Sequence, residues 1–425
     1  MFFMRKEKVC FYFCNMNRIL EEIRAAVPAL SQRVYDKPLV YLDNAATSQK
    51  PVQVIELINK MNSALNGNVH RAMHYLSEMT TELYEQARER VRLHINAPGR
   101  ENIIFTSGAT ASINLVASSF SLRFLREGDS IIIAGDSHHS NIVPWQIACE
   151  RAGAKLKVIP VDGRGRLEVE RIESLIEPGT RLLAVTHISN VLGIVNNIRE
   201  IVDIAHAKGV KVLVDGAQGI VHDKVDVQAM DCDFYAFSGH KLYGETGSGV
   251  LYGKSDLLNQ MPPYMGGGEM VERVTYEKTT YAPLPLKFEA GTPNFIAAAA
   301  LAPAIEFAAA LESGEWGRAV KEEERAIMEY LPNALLEVEG LRLYGTVGEK
   351  IPLYSFSVEG CNSSDIAQML DKLGIAVRSG QMCSEPLMER YSVTGMVRAS
   401  FAPYNTLDEA RFLALSLKRV VKMLR

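Results

Sequence analysis

The stretch Asp233-Phe234-Tyr235-Ala236-Phe237-Ser238-Gly239-His240-Lys241-Leu242-Tyr243-Gly244 decides how this chain folds. Asp233–Phe237 is a short apolar run of the length of a buried strand, and Gly249-Val250-Leu251-Tyr252 is another just beyond it. Upstream, Val210–Val214 reads as a third strand, closed by Asp215-Gly216-Ala217-Gln218. Working outward, strand-like and helix-like segments alternate from Tyr41 to about Tyr252. Strands are expected at Val40–Leu42, Asn102–Thr106, Ser130–Ile133, Lys157–Val161 and Leu182–Thr186. Helices are expected at Thr80–Asn96, capped by Thr80 or Thr81, from Gly108 through Phe120, and at Val143–Ala152, Glu168–Ile176 and Ile198–Lys208. Near-continuous apolar strands alternating with helices predict an α/β fold whose mostly parallel sheet is covered by helices on both faces.

From Asn294 the pattern changes. Long helical stretches at Phe295–Leu311 and Ala319–Leu336 precede strands at Ile351–Val358 and Ile375–Val377, a helix at Ser364–Leu373 and a final helix at Leu407–Leu424. We therefore expect a large domain over residues 40–294 and a smaller α+β C-terminal domain over 295–425. Residues 1–15 read as an extension outside the fold. Residues 16–39 read as a helical segment packing with the small domain, with Ile19, Leu20, Ile23 and Val27 on one face. At 425 residues the chain is too long for one simple core.

Composition excludes several classes. The chain is 47% hydrophobic and 23% charged, with a formal net charge of -4 and mixed signs throughout. No basic face suggests a nucleic-acid partner and no polybasic run suggests a membrane anchor. The alanine-rich stretch from Phe295, interrupted by Pro303 and Glu306, reads as a packed helix too short to span a bilayer. Six scattered cysteines make a disulfide framework or a metal site a poor expectation and fit a reducing cytoplasm.

Ligands of open α/β sheets sit beyond the carboxyl ends of the strands, so the residues at those ends are the candidates for chemistry. The set is Thr106-Ser107-Gly108-Ala109-Thr110 opening a helix, Ser137-His138-His139, Thr186-His187-Ile188-Ser189-Asn190, Asp215 with Gln218, and Ser238 with His240 and Lys241. A helix N-terminus holds an anion through backbone amides. A histidine can stack on an aromatic ring, an asparagine can donate to a ring hydroxyl, an acid can keep a pyridine nitrogen protonated, and a lysine amine can condense with an aldehyde. Each feature alone has a commoner explanation, a surface lysine or a turn-forming aspartate. Together they describe a site for pyridoxal 5'-phosphate.

Three strings, Thr186–Gly193, Val214–Gln218 and Phe237–Gly244, resemble the class V aminotransferase superfamily. Asn141–Gln146, Gly266–Met270 and Phe288–Asn294 narrow the resemblance to group II cysteine desulfurases of the Suf type, which include selenocysteine lyase-like members. The resemblance covers residues 17–425. It implies a fold-type I pyridoxal phosphate-dependent transferase with Lys241 carrying the cofactor, Asp215 on the pyridine nitrogen, His138 stacked on the ring, and Gln218 on the ring oxygen. Thr110, Ser238 and His240 would hold the phosphate, and Thr292 would reach the phosphate of a partner subunit, making a homodimer. Arg398 would take the substrate carboxylate, as a guanidinium fork suits one. Asn190 and His70 would stand on the substrate side.

The implied nucleophile is Cys383, in Arg378-Ser379-Gly380-Gln381-Met382-Cys383-Ser384-Glu385-Pro386, where Arg378 would favour a thiolate. The expected reaction converts L-cysteine to L-alanine and leaves sulfur on Cys383, for a small acceptor protein of the kind that serves Suf enzymes in iron–sulfur cluster assembly. L-Selenocysteine is the alternative substrate. Other class V chemistry and a non-catalytic scaffold are the remaining readings. The chain departs from the family pattern at Gln381-Met382, where two histidines are usual, at Ser137, where Glu is usual, and at Ala109, where threonine is usual.

Overall fold

The computed structural model describes residues 18–70 and 73–425. Seven strands form the main sheet: β1 (Ile103–Thr106), β2 (Ser130–Ala134), β3 (Lys155–Ile159), β4 (Thr180–Thr186), β5 (Lys211–Asp215), β6 (Phe234–Ser238) and β7 (Gly249–Gly253). Their spatial order is β1-β7-β6-β5-β4-β2-β3. Every pairing is parallel except those of β7, which runs antiparallel to both β1 and β6. The carboxyl ends of β1, β2, β4, β5 and β6 therefore share one rim.

Successive residues of the central strands enter different cores. Ile132, Leu183, Val185, Val212, Val214, Tyr235 and Phe237 belong to one buried cluster. Ile131, Ile133, Leu182, Ala184, Leu213, Phe234 and Ala236 belong to the other. Both faces of the sheet are covered, which is why these strands read as continuous apolar runs. The fold is the α/β architecture expected.

A second sheet is antiparallel throughout, with β8 (Leu341–Tyr344), β9 (Leu353–Val358), β10 (Arg378–Gly380) and β11 (Met396–Ser400) in the order β8-β9-β11-β10. Its core draws on helices Gly314–Leu336, Ser363–Asp371 and Leu407–Leu424.

Several expectations are corrected. Val40–Tyr41 pairs in parallel with Ile375–Ala376, and Val40 and Leu42 enter the core of the second sheet. The helix at Phe295 breaks at Ala300, and Leu301–Glu312 packs into the first core, so the change of core does not fall at residue 294. The window Phe295–Glu312 is long and apolar enough to cross a membrane by length and composition, against the expectation that it is too short. It is 56% buried, packed on helices Val52–Ala64 and Tyr75–His94, as a core helix is.

The helix expected to begin at Thr80 begins at Tyr75, capped by the His74 side chain accepting from Ser77 N. Thr80 and Thr81 instead turn their hydroxyls onto the carbonyls of Leu76 and Ser77 inside the helix. The strand expected at Lys157–Val161 lies two residues earlier, ending before Pro160. The segment at Glu168–Ile176 is one 3-10 turn followed by one α turn. The N-terminal helix, residues 18–25, buries Ile19, Leu20 and Ile23 in the first core. Its Arg24 reaches the Tyr404 carbonyl and Glu409, so this segment bridges the two units rather than serving the small one alone. Residues 1–15 lie outside the described residues.

Candidate active site

Lys241 closes a one-turn 3-10 helix, Gly239–Lys241, directly after β6. The turn is held by Gly239 N donating to Ser248 O and Gly244 N donating to Gly239 O, both at 2.9 Å. A side chain at 239 would place its Cβ 2.2 Å from Ser248 Oγ, so only glycine fits. Ser48 braces the turn from outside. Its hydroxyl accepts from Tyr243 N at 2.8 Å and donates to the His240 carbonyl at 3.1 Å.

The turn faces a cavity of about 280 Å³ at the rim of the main sheet. Of the expected residues, Thr110, His138, Asn190, Asp215, Gln218, Ser238, His240, Lys241, Cys383 and Arg398 all line it. Two do not. Thr292 is exposed outside the cavity, and His70 sits with its ring edge-on to Tyr84 and Nε2 3.9 Å from Glu85.

Asp215, the last residue of β5, is 5% exposed, and its Oδ1 accepts from Ala217 N at 3.0 Å. Burial pushes its carboxyl up, with Lys241 opposing. Burial lowers the Lys241 amine to about 8, with Arg398 adding to the fall and Asp215 and Cys383 opposing it. Both groups are thus driven towards neutrality, because desolvation outweighs their mutual attraction. A cationic pyridine nitrogen beside Asp215 would reverse the first shift.

At the other end of the cavity, β1 leads through Gly108 into the 16-residue helix Ala109–Phe124. Gly108 has φ +150, a conformation suited to glycine, and a Cβ there would lie 3.3 Å from Ser238 Oγ. Ser238 Oγ accepts from Ala109 N at 2.8 Å, which leaves its own proton free to donate. This hydroxyl, Thr110, His240 and the helix N-terminus form an anion cradle. Between the two ends, His138 has Nδ1 tied to Ser140 N at 3.1 Å, which leaves its proton on Nε2. Burial, then Lys241, lowers His138 to about 4, so the ring is uncharged at pH 7. Amine, acid, flat ring and anion cradle fit pyridoxal 5'-phosphate, for which each supplies a matching group.

Arg398, on the second sheet, and the Cys383 loop that follows its strand β10 complete the cavity. Arg398, in β11, is 3% exposed. Its Nη1 donates to Asn190 O at 2.8 Å and its Nη2 to Asp43 Oδ1 at 3.1 Å, while Nε is buried without a partner. An orphaned guanidinium N–H beside the cavity is the feature a substrate carboxylate would satisfy. Asp43 also takes Arg378 Nη2 at 2.9 Å, so one carboxylate spans both arginines. Cys383 is exposed, and both it and Met382 have left-handed backbones, at φ 54 and 53. Asn190 Nδ2 donates to the Met382 carbonyl at 2.9 Å, and Met382 is buried.

Sequence analysis did not place Asp43, Ala45 or Ala46 at the site, nor His139 Nε2 accepting from Glu385 N beside the Cys383 loop. Asp43 carried a usable signal, an acid directly after the apolar triplet Val40–Leu42.

An open sheet with lysine, acid and anion cradle on one rim defines a class, and residues 40–413 match the model of the aminotransferase class-V family, to which the chain belongs. Among curated relatives, the cysteine desulfurase of Escherichia coli O127:H6 is 46% identical over 406 residues, covering 95% of this chain and 99% of the relative. That of Cronobacter sakazakii is 46% identical over 410 residues, covering 96% and 100%. Among solved structures, the Escherichia coli cysteine desulfurase CsdA superposes with a TM-score of 0.87 at 39% identity, covering 96% of this chain and 99% of that one. A cysteine desulfurase from Thermococcus onnurineus NA1 also gives 0.87, at 35% identity over 95% and 98%.

Proposed function

We propose that this chain is a pyridoxal phosphate-dependent cysteine desulfurase that converts L-cysteine to L-alanine and holds the released sulfur as a persulfide on Cys383. The observation that carries the reading is the meeting of Cys383, Arg398, Lys241 and Asp215 on one cavity. When bound, the cofactor supplies an aldehyde for amines and a ring that accepts electrons.

The chain's own residues do the rest. Lys241 Nζ would anchor the cofactor and move the substrate α-proton; burial lowers the amine to about 8, which makes its neutral form more accessible than that of an ordinary lysine. Asp215 keeps the pyridine nitrogen protonated. His138 stacks on the ring, Gln218 and Asn190 address its substituents, and Thr110, Ser238 and His240 bind phosphate. Arg398 takes the substrate carboxylate through its unpartnered Nε. Cys383 Sγ, as thiolate, forms a bond to the substrate sulfur as the bond from that sulfur to Cβ breaks; the pair of the broken bond stays with the carbon fragment, which takes a proton at Cβ and leaves as alanine. Arg378 lines the same cavity as Cys383, its guanidinium held by Asp43. An acceptor thiol then takes the outer sulfur by exchange.

The acceptor is a small protein of the Suf kind, and the sulfur goes to iron–sulfur cluster assembly. The enzyme works as a homodimer in which Thr292 reaches the neighbour's phosphate; its exposure outside its own cavity supports this. A reducing cytoplasm is its setting, consistent with four free cysteines among the described residues.

Mass spectrometry of the protein after incubation with L-cysteine tests the reading. One extra sulfur on the Cys383 peptide, absent in Cys383→Ala, is expected. Full cysteine turnover by Cys383→Ala would remove Cys383 from the mechanism and favour a selenocysteine lyase instead.

A further inference from the structure

Residues 43–48 link the second sheet to the turn that carries Lys241. At one end Asp43 Oδ1 accepts from Arg398 Nη2 at 3.1 Å. In the middle, Ala45 N donates to Ser400 Oγ at 2.9 Å, and the Ala45 carbonyl accepts from Gln218 Nε2 at 2.8 Å. At the other end the carbonyl of His240, the residue before Lys241, accepts from Ser48 N, Ser48 Oγ and Thr47 Oγ1, each at 3.1 Å. One short strap therefore touches both Arg398 and the lysine turn.

The Ser48 hydroxyl holds the far side of Lys241 as well. It accepts from Tyr243 N at 2.8 Å in a buried contact. Tyr243 has a left-handed backbone, at φ 59, a conformation that a bulky residue keeps only when its surroundings hold it. Removing the hydroxyl would leave a buried N–H without that acceptor. Thr47 Oγ1 bonds to the His240 carbonyl, on the near side. Ser48 is 4% exposed and does not line the active-site cavity, so it acts through the turn. A lysine reaches its target on a flexible four-carbon stem, so the place of its amine depends on how firmly the backbone is held on both sides. A displacement of about 1 Å can cost about a hundredfold in rate.

We propose that Ser48 is a positioning residue for Lys241. With one hydroxyl it holds His240 O and Tyr243 N, fixing the place from which the Lys241 amine meets the cofactor aldehyde, and the strap registers that place against Arg398. In that step the neutral amine forms a C=N bond to the aldehyde carbon, and the aldehyde oxygen leaves as water with the two amine protons. The proposal rests on the reading of Lys241 as the cofactor-bearing residue.

The test strips the cofactor from the full-chain protein, adds pyridoxal 5'-phosphate back at rising concentrations, quenches samples with borohydride over time and maps the labelled peptide. Wild type is expected to label at Lys241. Ser48→Ala should lower the limiting rate by about tenfold. The concentration giving half that rate should stay, because Ser48 N and Thr47 Oγ1 still hold His240 in the phosphate cradle. Thr47→Ala should slow labelling by less than about threefold, since the Ser48 hydroxyl still spans the lysine. Ser48→Cys keeps the shape with a weakly bonding thiol and should fall between wild type and Ser48→Ala, which keeps the test decisive where the alanine variant does not fold. A wild-type limiting rate in Ser48→Ala or Ser48→Cys would overturn the proposal, as would an equal loss in Thr47→Ala, and the reading of Lys241 would stand. Labelling of the wild type at another lysine would overturn both.

Discussion

The backbone N–H of His139 donates to the carbonyl of Cys383 at 2.7 Å, and the same histidine's Nε2 accepts from Glu385 N at 3.1 Å. One residue at the rim of the main sheet thus grips the reactive loop at its cysteine and again two residues further on. Gln381 Nε2 adds a third tie within the loop, to Glu385 Oε1 at 2.9 Å.

His139→Ala deletes the side-chain half of that grip. It should slow sulfur capture by about tenfold, the worth of one positioning hydrogen bond near a reacting atom. KM for cysteine should change little, because Arg398 is untouched. Rapid-quench measurement of persulfide formation checks this, and His139→Gln, which keeps an acceptor, should recover part of the rate. Equal rates in wild type and His139→Ala would show that the loop holds itself.

Asp43 is the counter-ion of a guanidinium whose side chain is 4% exposed. Asp43→Asn keeps the shape and removes the charge, leaving Arg398 buried and uncompensated. A loss of about 3 kcal/mol in denaturant unfolding is expected. An unchanged midpoint would mean that the Asn190 carbonyl alone suffices for Arg398.

Gly108 tests the anion cradle. Gly108→Ala forces a side chain into a φ of +150 next to Ser238 Oγ. Backbone strain of ~1–3 kcal/mol should weaken cofactor retention by about tenfold. Cofactor absorbance after dialysis reads it, and undiminished retention would place the phosphate elsewhere.

The Lys241 amine supplies the pH prediction. Its protonated form is disfavoured by burial, so the nucleophilic neutral form appears above about pH 8 instead of above the ordinary lysine range. Labelling of Lys241 by an amine-specific acylating reagent in cofactor-free protein should rise with pH around that value. Asp215 opposes the lowering, so Asp215→Asn should move the midpoint lower still. A wild-type midpoint near the ordinary lysine value would contradict the burial of this amine.

What the sequence disclosed, and what it withheld, follows from range. Strand ends are local signals, and the chemistry there placed eight of the expected residues on one cavity, to which the family resemblance added Cys383 and Arg398. Helix Leu407–Leu424 was legible to the residue because Thr406 and Glu409 form a capping box. The start at Tyr75 was not, since His74 is an uncommon cap and Thr80 looks like a common one. The left-handed pair Met382–Cys383 is held by Asn190, 192 residues away, and Asp43 spans Arg378 and Arg398 from 335 and 355 residues away, contacts that no local pattern encodes.

The most direct measurement is reduction of the purified yellow protein with borohydride, followed by digestion and mapping of the cofactor-bearing peptide. Attachment at Lys241 is the predicted result. A modified lysine anywhere else, or none in protein that retains full activity, would contradict the assignment of the site.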